Sequence, residues 1–188
     1  MILQERKTKK RITKKRIIKM NRIIKLVIFF SIFPFLFYAQ DKLNVSDENG
    51  LRQGKWKILN EGIECTLIYK DNERNGECKC FYQDGSLLTT GRFLKDSLEG
   101  KHLELYKNGQ IYKEDNYSNG ILDGEQKVFN QNEEIIYFAN YHLGVLDGIE
   151  KLYYKSGKLK VETFYENGRV KKVTCYRRNG KVKKIKNL

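Results

Sequence analysis

Residues 100–124 read GKHLELYKNGQIYKEDNYSNGILDG, and this stretch decides the fold. Leu103–Lys107 runs into Asn108-Gly109, and Gln110–Tyr117 leads out of it. Two short strand patterns around an Asn-Gly pair make a β-hairpin, because small and Asx residues tolerate the positive φ of a tight turn. The piece from Ser118 to Gly124 holds two glycines and reads as a longer loop, with Leu122 tucked beneath it.

The stretch is one copy of a repeat. Gly76, Gly100, Gly124 and Gly148 stand 24 residues apart. So do Gly85 and Gly109, with Glu133 in the next slot before Gly157, and so do Gly120, Gly144 and Gly168. Apolar positions keep the same step: Tyr69, Phe93, Tyr117, Tyr141, Tyr165; Phe81, Leu105, Phe129, Tyr153; Leu98, Leu122, Leu146, Val170. The first unit, Gly54 to Gly76, is two residues shorter, and the last has Lys172 where a glycine is due. Atypical end units are expected where a stack of repeats must close its ends. No stretch after residue 40 keeps a 3.6-residue period free of glycine. The expected fold is therefore all-β: an antiparallel meander of successive hairpins forming one elongated repeat sheet over residues 50–180. The mean hydropathy of −0.64 argues against one large core, and tyrosine suits a half-covered sheet because its ring packs while its hydroxyl stays wet.

The unit G-x-x-x-x-φ-Y-x-N/D-G-x-L/I, followed by a stretch ending in Tyr or Phe and then x-x-G-x-L-D-G, resembles the MORN-variant repeat of bacterial proteins. Gly76 to Tyr82 to Gly85, Gly100 to Tyr106 to Gly109, and Gly148 to Tyr154 to Gly157 carry the likeness, and Gly54-Lys-Trp56 matches the G-x-W opening. The resemblance implies an elongated MORN-like sheet and a repeat scaffold without enzymatic activity. Several relatives are labelled antitoxin-like by genomic context, and related eukaryotic repeats are linked to membranes and protein assembly. The sequence departs from the pattern where the Trp56 slot becomes Cys78, His102, Gln126 and Glu150. It departs again where residues 130–134, NQNEE, replace the fourth turn.

Charge is concentrated at the ends. The chain has a net charge of +14, of which residues 1–25 carry +10 and residues 169–188 carry +9, so the intervening body carries −5. Nucleic acid is not an expected partner, because an acidic body repels phosphate. Residues 26–39, LVIFFSIFPFLFYA, form an apolar core after a basic run. Its length suits a signal h-region better than a bilayer span of about 20 residues. Residues 1–39 are thus expected to be a basic region plus export signal, cleaved after Ala39, with Met20 as an alternative start and residues 40–49 as a linker. Phe37 is larger than a cleavage site prefers, so an uncleaved anchor in the inner membrane is the second reading. The body is expected to be periplasmic, outer-surface or secreted.

Candidate functional residues follow from these patterns. The aromatic ladder of Trp56, Tyr69, Tyr82, Phe93, Tyr106, Tyr117, Tyr141, Tyr154 and Tyr165 is the expected binding surface for an unknown protein or envelope component. The basic C-terminal segment, with Lys171, Lys172, Arg177, Arg178, Lys181, Lys183 and Lys184, is an alternative site for anionic envelope polymer, lipid head groups or an acidic partner, or a set of lysines guarding a sheet edge. Residues 181–188 read as a basic tail. Cys78 and Cys80 share a strand face, and Cys65 on the preceding strand could face either, so a disulfide among them and an apolar filler role both stand. One C-x-C pair does not make a metal site, and Asp123 and Asp147 read as turn residues rather than calcium ligands. His102 and His142 occupy unrelated slots and are expected to be exposed. No cofactor, metal or catalytic set is expected. The second functional reading, implied by the resemblance alone, is an antitoxin-like inhibitor of a toxin.

Overall fold

The computed structural model of the chain describes residues 42–188. The export signal, its cleavage point, the alternative start and the membrane contact of an uncleaved segment all fall outside the described residues. The described chain forms one open antiparallel sheet and no helix. Its strands are β1 (Val45–Ser46), β2 (Arg52–Asn60), β3 (Ile63–Lys70), β4 (Glu73–Arg74), β5 (Gly76–Phe81), β6 (Leu87–Leu94), β7 (Ser97–Leu98) and β8 (Gly100–Leu105). They continue as β9 (Ile111–Ser118), β10 (Ile121–Leu122), β11 (Gly124–Phe129), β12 (Ile135–His142), β13 (Val145–Tyr153), β14 (Leu159–Glu166), β15 (Arg169–Tyr176) and β16 (Val182–Asn187). The sheet order is β1-β2-β3-β5-β6-β8-β9-β11-β12-β13-β14-β15-β16, an antiparallel meander, with the two-residue strands β4, β7 and β10 pairing only with β3, β6 and β9. Strand β1 falls in the segment read as a linker, and β16 in the segment read as a tail.

From β5 onward two turn classes alternate; in the shorter first repeat both turns, Glu61-Gly62 and Asp71-Asn72, are two-residue turns. At the Asn-Gly tips the turn is wider than a two-residue hairpin. Gly109 N donates to Tyr106 O (2.9 Å) and Tyr106 N donates to Gln110 O (2.8 Å). Here only the glycine has a positive φ, 86° at Gly109. The preceding Asn108 serves through its side chain, whose Oδ1 accepts from Gln110 N at 3.1 Å. This is a type I turn closed by a bulge, and the register shifts at Glu104/Leu105 accordingly. The same geometry holds at residues 130–134. Glu133 adopts φ 61° in the slot of the missing glycine, and Asn130 Oδ1 accepts from both Asn132 N and Glu134 N.

The connections read as longer loops are the tight ones. Asn119 and Gly120 have φ of 50° and 80° and join Ser118 directly to Ile121, which is a two-residue type I′ hairpin. Leu122 lies opposite Tyr117 in the sheet rather than beneath a loop. The slack noticed in the sequence is a bulge between Leu122 and Gly124. At that point the returning strand passes so close to its neighbour that a Cβ on Gly124 would lie 3.2 Å from Asn116 Cβ. On Gly76 it would lie 2.8 Å from Ile68 Cβ. Close approach thus requires glycine at positions 76, 124 and 148, while at Gly100, where a Cβ would meet open space, the φ of 73° favours it.

Each tight turn is also tied to the repeat before it. Asp96 N, Gly120 N, Gly144 N and Gly168 N donate to Arg74 O, Leu98 O, Leu122 O and Leu146 O at 2.8–2.9 Å. At the opposite ends of the strands, Tyr106 Oη donates to Phe129 O and Tyr154 Oη to Tyr176 O, each at 2.8 Å. The last repeat is one residue short: Gly157 and Gly180 occupy the same turn position 23 residues apart, so Val173 rather than Thr174 lies opposite Thr163.

Replacing Glu133 by glycine removes a left-handed side chain without disturbing the Asn130 bonds. The Glu133→Gly variant is expected to be more stable by about 0.5–1 kcal/mol, the steric relief less the added chain entropy. Urea unfolding checks this, with the midpoint rising at constant slope.

Candidate functional site

The register divides the sheet into two unlike faces. One face carries ion pairs: Lys57–Glu64 (2.6 Å), Lys101–Glu114 (3.0 Å), Lys127–Glu125 (2.6 Å) and Lys151–Glu162 (3.7 Å). These are largely solvated and each adds little stability. Down the middle of the other face runs a seam of directly opposed residues: Trp56–Leu67, Cys78–Gly91, His102–Asp115, Gln126–Ala139 and Glu150–Thr163. No second layer covers it among the described residues. Even so, Cys78, Asp115, Gln126, Ala139 and Thr163 are buried, Asp115 to 1% exposure. They are buried by one another and by the aromatic ladder beside them.

The seam explains the departures at the Trp56 slot. Of the residues that replace Trp56 in later repeats, Cys78 is a buried free thiol, while His102, Gln126 and Glu150 are polar and each finds a partner in a neighbouring strand. Gln126 Nε2 donates to Asp115 Oδ1 at 2.6 Å, and Lys113 Nζ lies 2.7 Å from Asp115 Oδ2. Glu150 accepts from the hydroxyls of Tyr137 and Tyr165, each at 3.2 Å. His102 is half-buried, not exposed as the sequence suggested. Its ring packs where Gly91 has no side chain, and a Cβ there would lie 2.9 Å from His102 Cδ2. Thr89 Oγ1 lies 2.8 Å from both His102 Nε2 and Leu103 O. A hydroxyl has one proton, which the carbonyl takes, so Nε2 carries the imidazole proton and Nδ1 is bare. Nδ1 is buried without a partner.

Titration follows this packing. Burial holds His102 below the ordinary imidazole range, against the pull of Glu104 and Asp115. Burial also works against the charge of Lys113, but the hydrogen bond and charge of Asp115, with Glu104 behind, hold its ammonium above the usual lysine range. Tyr137 is pushed far above the usual phenol range, first by burial and then by Tyr141 and Glu150. Ligand atoms of His102, Glu104 and Asp115 lie within 4.8 Å of one another. The Lys113 ammonium already sits beside both carboxylates, 2.7 Å from Asp115 and 3.9 Å from Glu104. The trio is therefore a neutralised polar cluster. Nor is Thr89 an activated nucleophile, since its proton points at Leu103 O and away from His102.

The aromatic residues named from the sequence fall into two sets. Trp56, Tyr69, Phe93, Tyr117, Tyr141 and Tyr165 flank the seam; Tyr69 is buried and the others half-buried. Arg52 stacks over Trp56 and Tyr69, about 5 Å from each ring, and Arg74 lies 4.1 Å above Phe93. Tyr82, Tyr106 and Tyr154 sit at the shoulders of the wider turns. Lys171, Lys172, Arg177, Arg178, Lys181, Lys183 and Lys184 are exposed on the last hairpin. Of the thiols, Cys65 and Cys80 lie opposite each other on β3 and β5 and form a disulfide, while Cys78 and Cys175 are free. His142 is exposed and pairs with Asp123 at 3.2 Å, and Asp147 accepts from Asn167 N at 3.1 Å. Asp115, Lys113, Thr89 and Tyr137 escaped the sequence analysis because their slots do not repeat: Asp115 shares its own with Leu67, Gly91, Ala139 and Thr163.

A repeat of two strands, one wide turn, one tight turn and a glycine bulge is now in view. Residues 74–95, 98–119 and 146–167 match the MORN repeat variant. No curated protein matches the chain. The unmatched residues 122–143 lie in phase between two MORN-variant repeats and have the same strands, bulge and tight turn. Their Asn130–Glu134 turn departs in sequence alone.

Asp115→Ala leaves the Lys113 ammonium and the Gln126 amide without their acceptor, and is expected to cost about 2–4 kcal/mol in chemical denaturation. His102 also gives a pH signature. Its folded pKa lies below the ordinary 6.5, so its contribution is complete above that value and is lost as pH falls toward the folded pKa. Stability of the wild-type protein should decline between about pH 7 and pH 5, and His102→Gln should flatten that limb.

Proposed function

We propose that this chain is an exported, non-enzymatic repeat scaffold that binds a protein or another envelope component through the aromatic side of its sheet. One observation carries the reading: the seam face is a single layer with no covering layer among the described residues, offering a row of half-buried rings. Extended repeat surfaces of this kind suit wide, shallow contacts, and tyrosine and tryptophan contribute most where one side of the ring stays accessible. The polar cluster beneath the rings is internally satisfied apart from His102 Nδ1, which supports a structural role over catalysis.

The Cys65–Cys80 disulfide favours export over an inhibitor acting in the cytoplasm. Structural disulfides persist in oxidising compartments, whereas cytosolic thiols are kept reduced. It also closes a loop of sequence separation 15. Its reduction should therefore lower stability by about 3 kcal/mol in the chain-entropy account.

Cell fractionation with N-terminal sequencing and thiol mapping of the mature chain tests the reading. The expected result is a body outside the cytoplasm with Cys65 linked to Cys80 and with Cys78 and Cys175 alkylated after denaturation. Recovery from the cytosol alone, with four reduced thiols, would overturn export and favour the inhibitor. Phe93→Ala and Tyr141→Ala should each weaken capture of the envelope partner at least tenfold.

A further inference from the structure

The two edges of the sheet are not alike. At the N-terminal edge β1 pairs with β2 through Val45↔Gln53 and Ser46↔Arg52. Beyond it Asn44 N donates to Lys55 O (3.0 Å), and Asn44 Oδ1 accepts from Lys57 N (2.8 Å). That edge is capped over half its length. At the C-terminal edge nothing among the described residues pairs with β16 except β15.

The free groups of β16 can be assigned. Leu188 N donates to Lys171 O at 2.9 Å, so residue 188 is in a hydrogen-bonded pair with β15. The register is constant from Asn187↔Lys172 to Lys184↔Cys175. Alternation along an antiparallel ladder then turns the N–H and C=O of Ile185 and Asn187 outward, while Lys183 is the extra residue at the register shift between Cys175 and Tyr176. All six residues of β16 are exposed, Val182 to 50% and Ile185 to 52%. The strand has no proline and no inward-pointing acid, and residues 169–188 hold nine basic residues and no acidic one.

We infer that the β16 edge receives an acidic, extended peptide segment of a partner protein, which adds to the sheet as a further antiparallel strand. The outward groups of Ile185 and Asn187 supply the ladder, as in other strand additions. Charge complementarity selects the occupant: positions facing Lys183, Lys184 and Lys186 take Glu or Asp, and those facing Val182 and Ile185 take β-branched residues. A second copy of this chain does not fit, because its β2 edge is already capped over half its length by Asn44 and β1, and two β16 edges would set lysines against lysines. The site lies on the edge of the sheet and not on its aromatic face, so it stands or falls apart from the reading above.

The test uses the full chain and a fluorescent heptapeptide, Thr-Glu-Val-Glu-Glu-Val-Thr, followed by anisotropy. Two further peptides carry N-methyl groups on alternate amides, one in each phase. Strand addition predicts that the phase facing β16 loses at least tenfold in affinity, while the outward phase binds as the parent does. The Ile185→Pro variant removes one outward N–H and no β15–β16 bond, as edge strands tolerate. It should also lose at least tenfold, with thermal midpoint and strand signal retained. Should that variant fail to fold, the two methylated peptides decide. No binding of the parent peptide would overturn the inference. Equal binding of both methylated phases would do so too, and would assign the basic hairpin to anionic polymers or headgroups.

Discussion

A two-stranded hairpin cannot bury either of its faces, and everything else in this molecule follows from that constraint. Each hairpin is completed by the next one. Backbone bonds from every tight turn to the repeat before it, and tyrosine hydroxyls reaching the repeat after it, hold the hairpins in one register. Only in that register do the seam residues meet, and only when they meet is any residue of this thin sheet withdrawn from water. The stability of the array is thus a sum of neighbour contacts, as in other stacked repeats.

The seam shows what a single layer must do in place of a core. A second layer would let large apolar groups fill the centre. Here the centre is closed by alternation of size and by polar pairing. Gly91 leaves space for the His102 ring, Ala139 stands between Gln126 and Glu150, and Asp115 gathers the Lys113 ammonium and the Gln126 amide. Buried polar groups in such a row are tolerated because all but His102 Nδ1 have a partner within reach. They also fix the register, since a one-residue slip would turn the whole row to the ion-pair face. Function then belongs to area and edges. The flanking rings offer a shallow surface, and the two ends differ, one capped by Asn44 and β1, the other open and basic.

Much of the repeat was legible in sequence because turns and bulges impose local backbone demands. The recurring glycines and Asx-Gly or Ser-Gly pairs located the wide turns other than the one at residues 130–134, and the 24-residue step placed Tyr117, Tyr141 and Tyr165 on one face. The two connections were nevertheless assigned the wrong relative lengths. A glycine required by a bulge and a glycine required by a turn tip look alike in one dimension. The replacement of a turn glycine by Glu133 looked like a lost turn, yet the Asn130 side chain supplies the bonds that keep it.

The sequence by itself determined the class of fold, the number and phase of the hairpins, the charged ends and the likeness to MORN-variant repeats, since each rests on residues near one another along the chain. Tertiary structure alone decided that Cys65 bonds Cys80 rather than Cys78, that His102 is packed against Gly91 and Thr89, and that Asp115 is the most buried charge. It also decided that the last repeat slips by one residue and that, among the described residues, one edge is half-capped by Asn44 and β1 while the other is uncapped. Those facts depend on which residues face each other across strands 11 to 15 positions apart, and cross-strand register is a property of the assembled ladder, not of any segment of it.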